Sequence, residues 1–118
     1  MKIFICTNDN QAIGAKVSKQ SFLNRSSFKD CDIEIIHESD FPELKRFFSL
    51  PYKRKGKMTD HQKNDMQSFT LLRFIIPELM NYQGSAVVVD PDVFLVRNGL
   101  EQILNHSLEN HAIYARKG

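Results

Sequence analysis

The stretch "SAVVVDPDVF" at residues 85–94 joins an uninterrupted small and apolar run to two carboxylates that are separated by a proline. Continuous runs rich in β-branched residues are typical of strands buried on both faces, as in parallel sheets. Pro91 has no amide hydrogen and a restricted φ, so it is expected to end strand pairing. The stretch therefore predicts a buried strand that runs into Asp90 and Asp92.

On both sides of this stretch the chain alternates between strand-like and helix-like segments. The other predicted strands are 2–7, 32–38 and 111–116. Helical spacing or capping residues predict helices over 11–24, from residue 39, from residue 66 and over 98–106. The basic segment 51–64 has no period and is predicted to be a loop. Such alternation predicts an α/β fold, with a mostly parallel sheet and helices on both faces.

Two of the predicted helices have a definable inner face. The first presents a face of mostly small residues that lets it lie close to a sheet: Gly14, Val17, Ser18, Ser21 and Phe22. The helix from Met66, with Asp65 as its cap, has an apolar face made of Phe69, Leu72, Ile76 and Leu79. Pro77 is expected to kink or end that helix.

Length and composition narrow the class of protein. The 118 residues predict a single domain over 1–118, and 42% apolar residues suffice for a core. A net charge of +2 is too small to indicate a nucleic-acid partner. The opening "MKIFIC" has one lysine and a very short apolar run, and no apolar stretch approaches about 20 residues. Neither a signal peptide nor a membrane span is therefore expected. Cys6 and Cys31 lack metal-finger spacing and are predicted to be buried, reduced thiols of a cytoplasmic protein.

Two polar clusters follow predicted strands: "TNDN" at 7–10 and "DPD" at 90–92. In open α/β sheets, ligands bind beyond the carboxyl ends of the strands. Asp90 and Asp92, two residues apart on a strand, would project to the same side and repel each other. Mn²⁺ or Mg²⁺ would relieve this repulsion, since both prefer hard oxygen ligands together with substrate phosphates. The alternative is a strand-ending turn with two solvated aspartates.

A hydrophobic strand followed by DxDx[TV] is also similar to the phosphatase signature of the haloacid dehalogenase superfamily. That resemblance would make Asp90 a nucleophile. Phe94 stands where that signature has Thr or Val, and the motif comes late in the chain. We keep this interpretation as the least favoured one.

Two longer stretches resemble GT-A glycosyltransferases, especially the family 8, glycogenin-like type. They are "CTNDNQAIGA" at 6–15 and "SFTLLRFIIPELMNYQGSAVVVDPDVFLVRNGLEQIL" at 68–104. The second has that family's pattern of a helix with Arg or Lys, an "IPEL" turn and a strand running into DxD. Since members of this family are much longer and their second half supplies the acceptor site, we expect the chain to be a truncated, donor-binding half.

The resemblance implies a Rossmann-like GT-A fold and hexosyl transfer from a nucleotide-diphospho-sugar, with a UDP-sugar as donor and an unknown acceptor. It implies Mn²⁺ or Mg²⁺ as cofactor, held by Asp90 and Asp92. The nucleotide-sugar would contact Thr7, Asn8, Asp9, Arg73, Asp90 and Asp92. Thr70, three residues from Arg73 on the same helical side, could line the same cleft. Gln11 departs from the pattern, because many members have an aromatic residue there that stacks on the base.

Each role has a structural alternative. Asp9 would then only cap the first helix, Arg73 would be an exposed helix cation, and the four histidines would be structural or solvated. The basic run "YKRKGK" at 52–57 would be a solvated loop, or would attract an anionic ligand. Instead of an enzyme, the chain could be a non-catalytic interaction module, forming a homo-oligomer through an exposed sheet edge.

Overall fold

A computed structural model of the chain describes residues 1–48, 50–60 and 65–105. The strands are β1 (Lys2–Thr7), β2 (Ile33–His37), β3 (Tyr52–Arg54), β4 (Lys57–Thr59) and β5 (Ala86–Val89). The α-helices are α1 (Ala12–Arg25), α2 (Lys45–Phe48), α3 (Ile76–Leu79) and α4 (Leu100–Leu104). Short 3₁₀ helices span Asp9–Gln11, Asp30–Asp32, Glu38–Asp40, Pro42–Leu44 and Ser68–Phe74. The predicted strand 111–116 and His61, His106 and His111 lie outside the described residues.

The central element is a three-stranded parallel sheet in the order β2-β1-β5. Ile3 pairs with Ile33 on one side and with Val87 on the other, so β1 is the middle strand. The α/β class and the parallel pairing predicted from the alternating elements are confirmed. The arrangement is compatible with a Rossmann-like fold, although the described parallel sheet has only three strands.

Alternate residues of β1 face two separate apolar cores. Phe4 and Cys6 belong to a cluster with Leu72 and Ile76, whereas Ile3 and Ile5 belong to a cluster with Ala15, Phe22 and Leu100. All four β1 residues are fully buried. Because a strand presents alternate side chains to opposite faces, β1 needs a helix layer on each side, as predicted.

Helix α1 packs through small residues, and this part of the predicted face is confirmed. Ser18 is fully buried and Phe22 is nearly so. Gly14 approaches the backbone of Pro91. Val17 was wrongly assigned to the inner face, because it is 54% exposed. The stripe that faces the protein is shifted toward Ala15, which is completely buried.

The segment predicted as one α-helix from Met66 is divided into two parts. Ser68–Phe74 forms a 3₁₀ helix, and α3 begins at Ile76 with Pro77 in its first turn. Pro77 cannot donate a backbone hydrogen bond, so the break falls just before it. The predicted inner face is nevertheless confirmed, since Phe69, Leu72 and Ile76 are buried.

The expectation of a loop over 51–64 is wrong for residues 52–59, which form the antiparallel hairpin β3–β4. Lys55 and Gly56 both have positive φ, at 48° and 80°. Positive φ at both central residues is the pattern of a type I′ turn, whose twist matches that of paired strands. The hairpin was not predicted because its strands are charged and exposed. They lack the alternation of apolar and polar residues by which a strand is recognised in a sequence.

Two expectations about burial are also wrong. Strand β5 alternates between exposed and half-buried residues, with Val88 37% exposed, rather than being buried throughout. Within the described sheet β5 lies at an edge, so only one side of it is covered by a neighbouring strand. Cys31 is exposed, whereas Cys6 is buried, and both are free thiols.

In the described part of the chain, no helix has the length and apolarity required to cross a membrane.

Candidate functional site

The carboxyl ends of the three parallel strands bring separated polar residues to one edge of the sheet. Thr7 ends β1 and pairs with His37, which ends β2, while Asp90 directly follows β5. Neighbouring strands are about 4.8 Å apart, so residues at these ends are near neighbours. The two predicted clusters, at 7–10 and 90–92, therefore lie at the same edge.

Arg73 and Asp90 are joined by an ion pair between the 3₁₀ helix and the end of β5. The Nη2 atom of Arg73 donates a hydrogen bond to Oδ1 of Asp90. Both side chains are about half exposed, at 45% and 40%. Of the predicted site residues, these two are in direct contact, although they are separated by 17 positions in the sequence.

Thr70 and Arg73 were predicted to share one side of an α-helix. In a 3₁₀ helix, which has three residues per turn, side chains three apart are aligned more closely than in an α-helix. Both residues belong to the 3₁₀ helix Ser68–Phe74, and Thr70 is half-buried. The change of helix type thus keeps them on a common face.

Asp90 and Asp92 do not project from a strand, because the extended backbone ends at Val89. The amide of Val93 donates to the carbonyl oxygen of Asp90 at 3.1 Å, which closes a turn with Pro91 at its second position. The same-side argument for alternate strand residues therefore does not apply, and this premise of the prediction is wrong. Pro91 ends the pairing as expected and is fully buried, while Asp92 is exposed.

Helix α1 holds the backbone that follows the two aspartates. Ser18 Oγ donates to the carbonyl oxygen of Val93 at 2.5 Å, and Ser21 Oγ accepts from the amide of Leu95 at 2.9 Å. Pro91 lies against Gly14, one helical turn before Ser18. The small residues of α1 thus fix the position of the turn that carries Asp90 and Asp92.

Asn8 connects the end of β1 with the start of the 3₁₀ helix that carries Arg73. Its Nδ2 donates to Ser68 Oγ at 2.9 Å and lies within 3.3–3.4 Å of the carbonyl oxygens of Asp65 and Met66. Its Oδ1 accepts from the amide of Gln11 at 3.1 Å. Asn8 is 2% exposed, and its amide hydrogens are engaged within the protein. Its contact with a nucleotide stays a prediction.

Asp9 and Asp65 were both considered as helix caps in the sequence. Asn8, and not Asp9, caps the first helical turn through the bond to Gln11, so the capping alternative for Asp9 is wrong. Asp65 Oδ1 accepts from the amide of Gln67 at 2.9 Å, but this bond lies in the turn before the helix. The helix begins at Ser68 with Gln67 at its cap position, so the prediction that Asp65 caps a helix from Met66 is wrong. Thr7 is 1% exposed, and its hydroxyl donates to the carbonyl oxygen of Asn8 at 3.2 Å.

His37 is a member of this edge that was not predicted as a site residue. Its Nε2 lies 3.3 Å from Oδ1 of Asp9. Its Nδ1 accepts from the amide of Ser39 at 3.2 Å, so His37 caps the 3₁₀ helix Glu38–Asp40. The same nitrogen lies 2.7 Å from the Ser39 hydroxyl. The signal was available in the sequence, because a histidine that ends a parallel strand must lie at the same edge as Asp9.

Cys6 lies in the core cluster below this edge and is electrostatically coupled to the ion pair. Burial raises the pKa of its thiol to about 11, an effect that the Arg73 charge reduces and the Asp90 charge increases. The thiol is therefore neutral near pH 7. It does not compete with Asp90 for the guanidinium of Arg73.

The chemistry of the donor set fits a metal ion only in company with a diphosphate. Across the described ranges, no cluster of three or more His, Cys, Asp and Glu side chains could hold a metal ion. Mg²⁺ and Mn²⁺ bound to nucleotide phosphates commonly take one or two protein carboxylates and complete their shell with phosphate oxygens and water. Asp90 is half exposed and Asp92 is exposed, so each carboxylate is accessible to such an ion.

A small cavity lies apart from these residues. Its volume is about 100 Å³, and its lining residues are Phe41, Glu43, Ile75, Glu78 and Leu79. Sites for drug-sized ligands have volumes of about 300–1,000 Å³. None of the predicted site residues contributes to this cavity, so it does not bear on the candidate site.

Comparisons with protein-family models, with curated proteins and with solved structures find no match to this chain. The residues at the sheet edge and the motifs in the sequence therefore carry the information about function.

Proposed function

We propose that this chain is the donor-binding portion of a metal-dependent glycosyltransferase with a GT-A fold. Its reaction would be hexosyl transfer from a nucleotide-diphospho-sugar, with a UDP-sugar as the first candidate donor. The observation that supports this proposal is the contact between Arg73 and Asp90 at the carboxyl edge of a parallel sheet. It joins the helix and strand halves of the 68–104 motif, next to the strand that begins the 6–15 motif.

The roles follow from the charges at this edge. Asp90 and Asp92 would hold Mn²⁺ or Mg²⁺, which would supply positive charge to the departing diphosphate. Arg73 would donate to the diphosphate, because a guanidinium forms strong, charge-assisted hydrogen bonds to phosphate oxygens. Thr7, Asp9 and Thr70 would border the bound nucleotide-sugar, and Asn8 would hold the 3₁₀ helix in position. The acceptor is left open. The free Cys6 and Cys31 favour a cytoplasmic location.

The direct test is a thermal-shift titration with UDP, GDP and other nucleoside diphosphates in the presence of Mn²⁺. A ligand that binds only the folded state, at about 100 times its Kd, stabilises that state by about 2.7 kcal/mol. We expect UDP with Mn²⁺ to raise the Tm by several degrees and Asp92→Ala to abolish the shift.

Asp30→Ala is the matched control for this test. Asp30 is also an exposed aspartate, but it precedes β2 and therefore lies at the opposite edge of the sheet, where it pairs with Lys19 at 2.9 Å. Its variant should keep the full shift. If no nucleoside diphosphate changes the Tm of the folded wild-type protein with Mn²⁺ present, the proposal is wrong.

A second candidate function is a non-catalytic interaction module. It is favoured by the exposure of β5 at the edge of the described sheet, with Val88 37% exposed. An edge strand with unpaired backbone groups can pair with another chain. This candidate predicts a concentration-dependent oligomer in light scattering and no response to nucleotides.

A further inference from the structure

Arg73 and Asp90 are held together by a single hydrogen bond, from Nη2 to Oδ1. Asp90 keeps its second oxygen, and Arg73 keeps further donors, on side chains that are half exposed. Ion pairs with this degree of exposure contribute little to stability. The pair can therefore be exchanged for other partners at small cost to the fold.

Both partners are attached to firmly held backbone. Asn8 ties the beginning of the 3₁₀ helix to β1 through Ser68. The turn after Asp90 is fixed to α1 through Val93. An exchange of partners would thus involve the Arg73 and Asp90 side chains, while the backbone on each side stays in place.

The ion pair between Arg73 and Asp90 reduces the negative charge that a metal ion would encounter at this edge. Asp90 and Asp92 together carry two negative charges. The positive charge of the Arg73 guanidinium offsets the charge of Asp90, whose Oδ1 atom it contacts. A free dication would have to approach a carboxylate that already has a cationic partner. A diphosphate brings negative charge of its own, to which Arg73 can donate instead.

We propose that Arg73 occupies Asp90 in the ligand-free protein and that a diphosphate draws Arg73 away, which frees Asp90 for the metal. This inference rests on the proposed function, because it concerns the order of events at the same site. Free Mn²⁺ binds weakly, and Mn²⁺ together with a diphosphate binds tightly. By thermodynamic reciprocity, each of the two ligands raises the affinity of the protein for the other.

The experiment measures the Kd of Mn²⁺ alone by the electron paramagnetic resonance signal of the free ion, for wild type and Arg73→Gln. Removing a unit charge near a bound dication in a half-exposed position raises its affinity by about tenfold at low salt. The gain should shrink with added salt, because exposed charges are screened. Arg73→Lys, which keeps the charge, should behave like the wild-type protein.

Arg25→Gln is the matched control, since it removes the same charge from the exposed last residue of α1. Helix α1 starts near the carboxyl edge and is 14 residues long, so Arg25 lies about 20 Å from its beginning. Its variant should bind Mn²⁺ as the wild-type protein does. If Arg73→Gln binds free Mn²⁺ within twofold of Arg25→Gln while remaining folded, the inference is overturned.

Two further titrations separate this inference from the proposed function. Inorganic pyrophosphate with Mn²⁺ should bind the wild-type protein more tightly than Mn²⁺ alone, and Arg73→Gln should lose most of that advantage. If pyrophosphate shows this coupling and no nucleotide binds, the exchange stands and the proposed function fails. If UDP with Mn²⁺ binds but Arg73→Gln gains nothing for free Mn²⁺, the exchange fails and the proposed function stands.

Discussion

A Cβ atom placed on Gly14 would lie 3.0 Å from the carbonyl oxygen of Pro91. Helix α1 therefore approaches the turn between Asp90 and Val93 more closely than almost any side chain would permit. Since Pro91 is fully buried, its backbone has little room to withdraw. The absence of a side chain at Gly14 thus helps to determine where the two aspartates lie.

We expect Gly14→Ala to destabilise the protein despite the better helix propensity of alanine. Overpacking costs about 1–3 kcal/mol, and the propensity gain returns up to about 1 kcal/mol. The net loss should be about 1 kcal/mol in the free energy of unfolding, measured by urea denaturation. Lys16→Ala, on the exposed side of the same helix, should change it by less than about 0.5 kcal/mol. A more stable Gly14→Ala protein would contradict the close packing.

Asn8→Ala should be one of the most destabilising substitutions at the sheet edge. It removes the cap on Gln11 and the donors to Ser68 and to two backbone carbonyl groups. Loss of a cap costs about 1 kcal/mol, and unsatisfied buried acceptors cost about 1–3 kcal/mol. We expect a total of about 2–4 kcal/mol in urea denaturation.

Ser68→Ala is the partial version of this change, because it removes one hydrogen bond of Asn8 and leaves its other hydrogen bonds in place. It should cost about 1 kcal/mol. Equal losses for the two variants would show that the contacts to Gln11, Asp65 and Met66 contribute nothing measurable.

The thiol of Cys6 should make stability depend on pH in the alkaline range. Burial raises its pKa from 9.0 to about 11, so the folded state holds this proton more tightly than the unfolded chain does. This contribution is complete below pH 9 and is lost as pH rises through about 11. The unfolding free energy should fall by up to about 1.4 kcal/mol per pH unit in that window.

Cys6→Ala tests this assignment, because it removes the thiol and leaves the other ionisable groups of the protein in place. The difference in stability between wild type and variant should narrow as the pH rises from 9 to 11. A difference that is constant with pH would exclude the thiol as the cause. Cys31, which is exposed, should react with a thiol reagent in the folded protein, while Cys6 should react only after unfolding.

Lys55→Asn should stabilise the β3–β4 hairpin. Lys55 adopts a positive φ of 48°, and Gly56 follows at 80°. Asn-Gly is the preferred pair for such a turn, because asparagine tolerates the left-handed region better than lysine does. We expect a gain of about 0.5 kcal/mol in urea denaturation. Lys53→Asn, at an exposed position within the strand, should give no gain.

The local pattern of residues was sufficient to predict several parts of the fold. The apolar run of β1 predicted its strand and its burial correctly. The spacing of Phe69, Leu72 and Ile76 predicted their burial, although a 3₁₀ helix followed by α3 stands where one α-helix was expected. Such patterns depend on the two-residue period of strands and on the spacing of helical faces, which are properties of the local backbone. The hairpin at 52–59 was not predicted. Its exposed strands bury little apolar surface, so their sequence does not need the alternation of apolar and polar residues that would have identified them.

For the candidate site, the pattern of strands was enough to predict that polar residues would gather at one edge, since the carboxyl ends of parallel strands lie together. It did not determine which side chains touch. The contacts of Arg73 with Asp90, of Asp9 with His37 and of Asn8 with Ser68 join residues that are 17, 28 and 60 positions apart. Those contacts depend on where α1 and the 3₁₀ helix pack against the sheet and on the turn at Pro91. Packing of this kind is not specified by local propensity, so the contacts could not be predicted from the residue pattern.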